Sequence, residues 1–466
     1  MSKYEISRAG DTIDFVFVPS KLHFFDKETE TCLFLRRKKM SELHLKAPRG
    51  WINDPNGFIY YNGEYHLFYQ HFPYAPRWGR MHWGHAVSSD LTNWKHLDIA
   101  LFPTKTDDKD GCFSGSAIEK DGAMHLFYTG VNYNVPDPEN VNCCLDDKFT
   151  AAQLHISSED GYSFDNFGGK TTIIPPVTDS KTGDRNHTRD PKVWQGEDGN
   201  FYIVLGTTVD DKGRLLFYRS ADLTSWEYVN YAAADSYGWM WECPDYFRVD
   251  GSDVLVFSPM GTKYGNQAVC TLVDFDEKTC SMNIGSDFQF LDYGLDLYAP
   301  QSTTDRDGRR VVIAWLRMPE PADDNTIGMF SMPRVCEVKE GHIFFRPHPS
   351  VRARFSRKIS APEGIFMVKS RLSDGESLNI GGYVVRNENN RIITDRSAVI
   401  RNHTEICSTF ETPALDGAAE IEAYIDGNMI EVFVNNGEYV ITNAVYDLSD
   451  ELSGNAELFG LACAEE

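Results

Sequence analysis

Phe58-Ile59-Tyr60-Tyr61-Asn62-Gly63-Glu64-Tyr65-His66-Leu67-Phe68-Tyr69 reads as two apolar strands joined at an Asn-Gly turn. Asn-Gly and Asp-Gly between strand patterns are the strongest short hairpin signal, because both central residues of a type I′ turn need φ > 0. The arrangement recurs about Asp121-Gly122, Asp198-Gly199, Asp250-Gly251 and Asp307-Gly308, with following runs such as His125-Leu126-Phe127-Tyr128 and Val311-Val312-Ile313-Ala314. At one fixed offset before these turns stand Asp54, Phe113, Asp190, Glu242 and Ala299. Three of the five are carboxylates at the mouth of a first strand. If the hairpins are blades around an axis, a shared register predicts that the three converge on one central pocket.

The hairpin segments begin near Trp51, Gly111, Arg189, Trp241 and Tyr298. Repeats roughly 50 to 80 residues long, with about four short strands each, are the sequence form of a β-propeller. A second repeat accompanies them: Ser88-Ser89-Asp90-Leu91-Thr92-Asn93-Trp94 matches Ser220-Ala221-Asp222-Leu223-Thr224-Ser225-Trp226, and Ser157-Ser158-Glu159-Asp160-Gly161 is a looser copy. The expected fold class is therefore all-β, with a five-bladed β-propeller catalytic domain over 47–340. After Arg334 the acidic register does not recur. Residues 350–466 hold closely spaced strands, among them Met429-Ile430-Glu431-Val432-Phe433-Val434 turning at Asn435-Asn436-Gly437 into Tyr439-Val440-Ile441. This pattern predicts a C-terminal β-sandwich. Residues 1–46, with Ile13-Asp14-Phe15-Val16-Phe17-Val18, form an N-terminal extension expected to hold strands. Those strands either join the sandwich or cover a propeller edge.

A formal net charge of −24 argues against nucleic acid and anionic membrane surfaces as partners. No run of about 18 apolar residues occurs, so no membrane span is expected. Met1 to Ser20 lacks the basic stretch, apolar core and small-residue cleavage site of an export signal. The ten cysteines have no metal-ligand spacing. They read as reduced thiols of a cytoplasmic protein, in which the sequons at Asn186 and Asn402 carry no glycan. His82 and His85 fall in a strand pattern, where such spacing faces opposite sides, so no metal and no cofactor are expected. Aromatic residues make up 13%, a share that suits a β-rich core or sugar-stacking surfaces.

Four ordered motifs carry a family resemblance: Trp51-Ile52-Asn53-Asp54-Pro55-Asn56-Gly57, Phe113-Ser114-Gly115, Arg189-Asp190-Pro191 and Trp241-Glu242-Cys243-Pro244-Asp245. Met81-His82-Trp83-Gly84-His85, Tyr298-Ala299-Pro300-Gln301, Met332-Pro333-Arg334 and Glu431 to Gly437 support them. From about Leu45 to Gly437 the chain resembles glycoside hydrolase family 32, the family of invertases, sucrose-6-phosphate hydrolases, inulinases and levanases. The resemblance implies a five-bladed propeller followed by a sandwich, in agreement with the repeat count. It also implies Asp54 as nucleophile, Glu242 as acid/base and Asp190 as transition-state stabiliser, acting with retention through a covalent fructosyl-enzyme. Glycosidic hydrolysis needs one carboxylate at the anomeric carbon and one acid at the leaving oxygen, roughly 5–5.5 Å apart for retention. Mutual repulsion among three acids is expected to keep Glu242 protonated, with Arg189 as counter-charge. Sugar-binding positions implied by the resemblance are Trp51, Asn53, Gln70, Trp78, Phe113, Ser114, Arg189, Tyr298 and Trp315.

The expected partner is a small sugar and the expected activity that of a β-fructofuranosidase acting on sucrose or short fructo-oligosaccharides. Sucrose-6-phosphate hydrolysis is the alternative, and exo-fructanase (inulinase or levanase) and fructosyltransferase activities use the same residues. A non-catalytic sugar-binding propeller is the reading from another class, and the three acids weigh against it. Inverting five-bladed arabinan hydrolases are a rival, which carboxyls roughly 6.5–9.5 Å apart would favour. Arg77 and Arg80 flank Trp78, and guanidinium forks suit a substrate 6-phosphate. The sequence leaves the oligomeric state open.

Overall fold

The computed structural model describes residues 43–462 apart from 236, 323, 402 and 404, so the strands expected within 1–42 lie outside the described residues. Residues 43–46 are described and carry no strand. They form a short connection docked on the C-terminal region. Nearly all regular structure is β, and the only α-helix among the described residues is Pro349–Ala353.

Five sheets follow one another along the chain. Each takes its strands largely in sequence order, as short tight connections favour. Their first strands are Gly50–Tyr61, Gly111–Lys120, Arg189–Gln195, Met240–Val249 and Leu297–Thr304. Each packs against the first strand of the next sheet, and the fifth packs against the first. Apolar clusters fill the seams: Ile59, Phe68 and Trp83 with Tyr128 and Leu154, then Phe127 with Val193 and Leu205, then Tyr202 and Phe217 with Trp241 and Phe257. Ile52, Leu67 and Tyr69 meet Val311 and Ile313 where the fifth sheet returns to the first. The fifth sheet ends with His342–Pro347, past the boundary expected at 340.

Every first strand carries the same irregularity. Two residues oppose one on the second strand: Asn53-Asp54, Phe113-Ser114, Asp190-Pro191, Cys243-Pro244 and Ala299-Pro300. A β-bulge of this kind breaks the ladder and re-aims side chains. Asp190, Cys243 and Ala299 lie in the left-handed region with φ of 64, 48 and 50°. The shared acidic register expected from the sequence is thereby corrected. Asp54 is the second bulge residue, Asp190 the first, and Glu242 the residue just before its bulge. At Asp54 the offset slips because a further bulge at Gly57-Phe58 lengthens the first strand, and at Glu242 because one residue fewer separates bulge from turn than in the second sheet. The turns differ too. Asn62-Gly63, Asp121-Gly122 and Asp250-Gly251 are two-residue turns with φ > 0 at both positions. About Asp198-Gly199 and Asp307-Gly308 only the glycine is left-handed, and the ladders close farther out at Gln195↔Phe201 and Thr304↔Arg310.

The second repeat has a physical basis. Asp90 Oδ1 accepts from the backbone of Thr92 and Asn93, and Asp222 Oδ1 accepts from Thr224 and Ser225, each at 2.8 Å. Leu91 and Leu223 are left-handed in consequence, and Trp94 and Trp226 donate to their carbonyls. Asp160 repeats the turn with Gly161 at the left-handed position.

Beneath the bulges, buried side chains tie the sheets together. Gln301 donates to the carbonyls of Pro55 and Gly115 and accepts from the Phe58 amide. Ser116 bridges Pro191 and Val193, and Lys192 reaches Asp245 and the Ser302 carbonyl.

The C-terminal region holds a six-stranded and a five-stranded antiparallel sheet around a common core that includes Val368, Ile380, Val385, Ile421, Val432 and Ile441. It joins the five sheets through a buried ionic network. Arg334 donates to Glu431 at 2.7 Å and to Asp292 at 2.9 Å, and His44 contacts Asp426 at 2.9 Å and Glu431 at 3.0 Å.

Candidate active site

The bulges bring the three predicted acids to one place. Cys243 marks the centre: its Sγ lies 3.5 Å from Asp54 Oδ2 and 3.7 Å from Asp190 Oδ2, and its amide donates to Asp190 Oδ2 at 2.9 Å. Glu242 is the preceding residue. Ser114 Oγ donates to Asp54 Oδ2 at 2.5 Å and Asn53 Nδ2 to Oδ1 at 3.0 Å. The Asp190 backbone is held by its amide donating to Thr129 Oγ1 at 2.9 Å.

Glu242 is gripped from two sides. Arg189 donates to Oε1 at 2.7 Å and the Tyr298 hydroxyl to Oε2 at 2.7 Å. The same hydroxyl lies 3.1 Å from the Ser258 carbonyl, a second acceptor for its single proton. Arg189 Nε stands 3.9 Å from Asp190, so one guanidinium serves two carboxyls.

Burial raises the Asp54 pKa against the hydrogen bond from Ser114, and the Glu242 charge raises it further. Burial pushes Asp190 up to about 7 against the pull of Arg189, with Glu242 and Asp54 adding to the rise. Burial thus lifts both Asp54 and Asp190. Each oxygen of Asp54 and each oxygen of Glu242 receives a donor.

The remaining predicted residues divide into wall and support. Trp51 donates to Asn53 Oδ1 at 2.7 Å and packs on Trp315 at 5.8 Å between ring centres. Trp78, 37% exposed, meets Phe113 edge-on at 6.0 Å and has a face open to solvent. Gln70 and Tyr298 are buried, with polar atoms committed to the Cys112 carbonyl and to Glu242. They support the site from behind. Arg80 forms an ion pair with Asp110 at 2.9 Å, which corrects the expectation that both arginines of this loop serve a phosphate. Arg77 is exposed. Sequence reasoning assigned no role to Cys243, Thr129 or His187. Cys243 stands inside a quoted motif, whereas Thr129 is identifiable only as the residue opposite a bulge.

Among the described residues no cluster of His, Cys, Asp and Glu could hold a metal ion, and no helix is long and apolar enough to cross a membrane.

Residues 44–347 match the model for the glycosyl hydrolases family 32 N-terminal domain, and residues 348–461 match that for the family 32 C terminal. An Escherichia coli raffinose invertase is 34% identical, with 87% of this chain and 89% of that protein covered. A sucrose-6-phosphate hydrolase from Bacillus subtilis is 32% identical over 86% of this chain and 87% of its own. A Bombyx mori family 32 β-fructofuranosidase superimposes with a TM-score of 0.75 at 27% identity, covering 90% of this chain and 93% of that one.

Proposed function

The chain belongs to glycoside hydrolase family 32, and from that premise we propose that it is a retaining β-fructofuranosidase acting on a small fructoside. The observation that carries the reading is the cluster of Asp54, Asp190 and Glu242 about Cys243 with one guanidinium among them. The five sheets are blades of a propeller over 47–347, supported by the cyclic contact of their first strands. The two C-terminal sheets form a sandwich, supported by their common core.

Asp54 attacks the anomeric carbon of the fructosyl ring while Glu242 protonates the departing oxygen. The covalent ester on Asp54 is then hydrolysed by a water that Glu242 deprotonates. Glu242 can donate a proton only from an oxygen not already receiving one. Rotation of the Tyr298 hydroxyl toward the Ser258 carbonyl frees Oε2 for this. Ser114 and Asn53 hold the Asp54 carboxylate in line, and Asp190 accepts from ring hydroxyls. Trp51, Trp78, Phe113 and Trp315 supply apolar faces for the sugar.

Sucrose and sucrose 6-phosphate are the favoured substrates, as the names of the relatives suggest. The eight described cysteines are free thiols, which fits a reducing cytoplasm and an imported sugar. Values of kcat/KM for sucrose, sucrose 6-phosphate, 1-kestose and inulin test the reading. The reading requires cleavage of at least one of these by the wild type, with the β-anomer of fructose formed first. A folded wild type inactive on all four would overturn it.

A further inference from the structure

We propose that His187 is a positioning residue for Glu242, holding the Arg189 fork in the plane that proton transfer requires; this rests on Glu242 being the acid/base. Arg189 NH1 lies 3.2 Å from His187 Nδ1, while NH2 donates to Glu242 Oε1 at 2.7 Å. Arginine has no acceptor, so Nδ1 must accept and the neutral ring carries its proton on Nε2. The guanidinium is planar, and fixing NH1 therefore fixes NH2.

The imidazole is itself well anchored. Phe149 of the second sheet meets it edge-on at 5.6 Å and 88°, and Trp239, just before the fourth sheet, at 5.3 Å and 85°. Its backbone amide donates to Asp184 Oδ1 at 2.9 Å. The ring thus spans the seam between three sheets and transmits their packing to Arg189.

Protonation undoes the arrangement. A proton on Nδ1 turns the acceptor into a donor facing a guanidinium. The charged groups that face the ring are Arg189, Asp184, Asp147 and Glu242. Burial first and Arg189 second hold its pKa below the usual imidazole range, which favours the neutral, accepting ring. Below that range, loss of the His187–Arg189 bond contributes to the acid limb of the rate profile.

The test compares wild type, His187→Gln and His187→Leu in the full chain, with kcat and KM measured along the acid limb on whichever fructoside the wild type cleaves. His187→Leu should lower kcat about tenfold or more with KM nearly unchanged, because misplacing a catalytic group by a fraction of an ångström costs that much. The Gln side chain offers a neutral acceptor, so His187→Gln should recover most of kcat and hold it at lower pH than the wild type. If the Leu variant fails to fold, the pH profile of the Gln variant decides alone. A Leu variant with wild-type kcat, or a Gln variant with an unshifted profile, overturns the proposal. An inactive but folded wild type contradicts the functional reading instead.

Discussion

Two clusters in this molecule each gather three carboxyls, two of them paired with one arginine, and the pairing differs between them. At the junction with the C-terminal region, Glu431 receives Arg334, His44 and the Met332 amide. Asp292 there receives Arg334, Thr442 and the Gly294 amide. At the candidate active site, Arg189 pairs with Glu242 and Asp190, and Asp54 has no cation among its described hydrogen-bond partners. Burial and mutual repulsion lift Asp54 and Asp190 there, whereas Arg334 and His44 hold Glu431 below the usual range despite its burial, although burial still raises Asp292 against Arg334. Saturated pairing makes a buried charge structural. Deliberate undercompensation makes it reactive, at a cost in stability that the surrounding bulges must bear.

The largest expected effect separates the clusters by activity. Asp54→Asn and Glu242→Gln should each lower kcat on sucrose by on the order of 10⁴-fold or more, since each removes a group proposed to act in the transition state. Glu242→Gln should spare substrates with good leaving groups, which need little protonation. Neither should lower the thermal midpoint. Asp190→Asn should raise it near neutrality, because the penalty for ionising this carboxyl appears as pH climbs from 3.8 to about 7. A destabilised Asp190→Asn at that pH would break the comparison.

At the junction the pattern should invert. Glu431→Ala leaves Arg334 buried without the oxygen that accepts from both its Nε and Nη2, and should cost roughly 3–5 kcal/mol, read as a drop in denaturation midpoint. A fully stable Glu431→Ala variant would show that the pairing is not structural.

The pH dependence of stability sharpens the contrast. Burial opposes the charge on His44, but hydrogen bonds and charge from Asp426 and Glu431 outweigh it and raise its pKa to about 9. A raised histidine contributes fully below its unfolded value of 6.5, and that contribution is lost as pH rises toward about 9. The His66–His85 pair behaves oppositely: burial lowers the two to about 4 and about 3. Their contribution is present above 6.5 and lost as pH falls toward about 4. Melting curves across this span should show a maximum near neutrality, and His44→Gln should flatten only the alkaline side.

The smallest effect probes the frame alone. Gly122 has φ of 81° and open space around it, so Gly122→Ala meets only backbone strain. It should cost about 1 kcal/mol with activity unchanged.

The contrast also explains what the sequence displayed. Turn dipeptides and alternating strands announce five sheets because each signal is local. The acids were found for the same reason, as they sit inside compact motifs. Their placement was not legible, because bulges shift register by one and leave no residue signature beyond an occasional proline. Thus Asp54, Asp190 and Glu242 share a turn offset, yet the first two are the second and first residues of their bulges and Glu242 precedes its own. The junction was invisible for another reason. Arg334 and Glu431 lie 97 residues apart, and nothing in either motif names its partner. His187 is visible only through the direction of a guanidinium.

The most direct test of the central claim is peptide mapping of Glu242→Gln after brief exposure to a fructoside with a good leaving group. Asp54 is expected to attack without acid assistance and the ester to persist, so the Asp54 peptide should gain a hexosyl mass. Label on Asp190 or another residue, or turnover by direct inversion with no labelled peptide, would contradict the account.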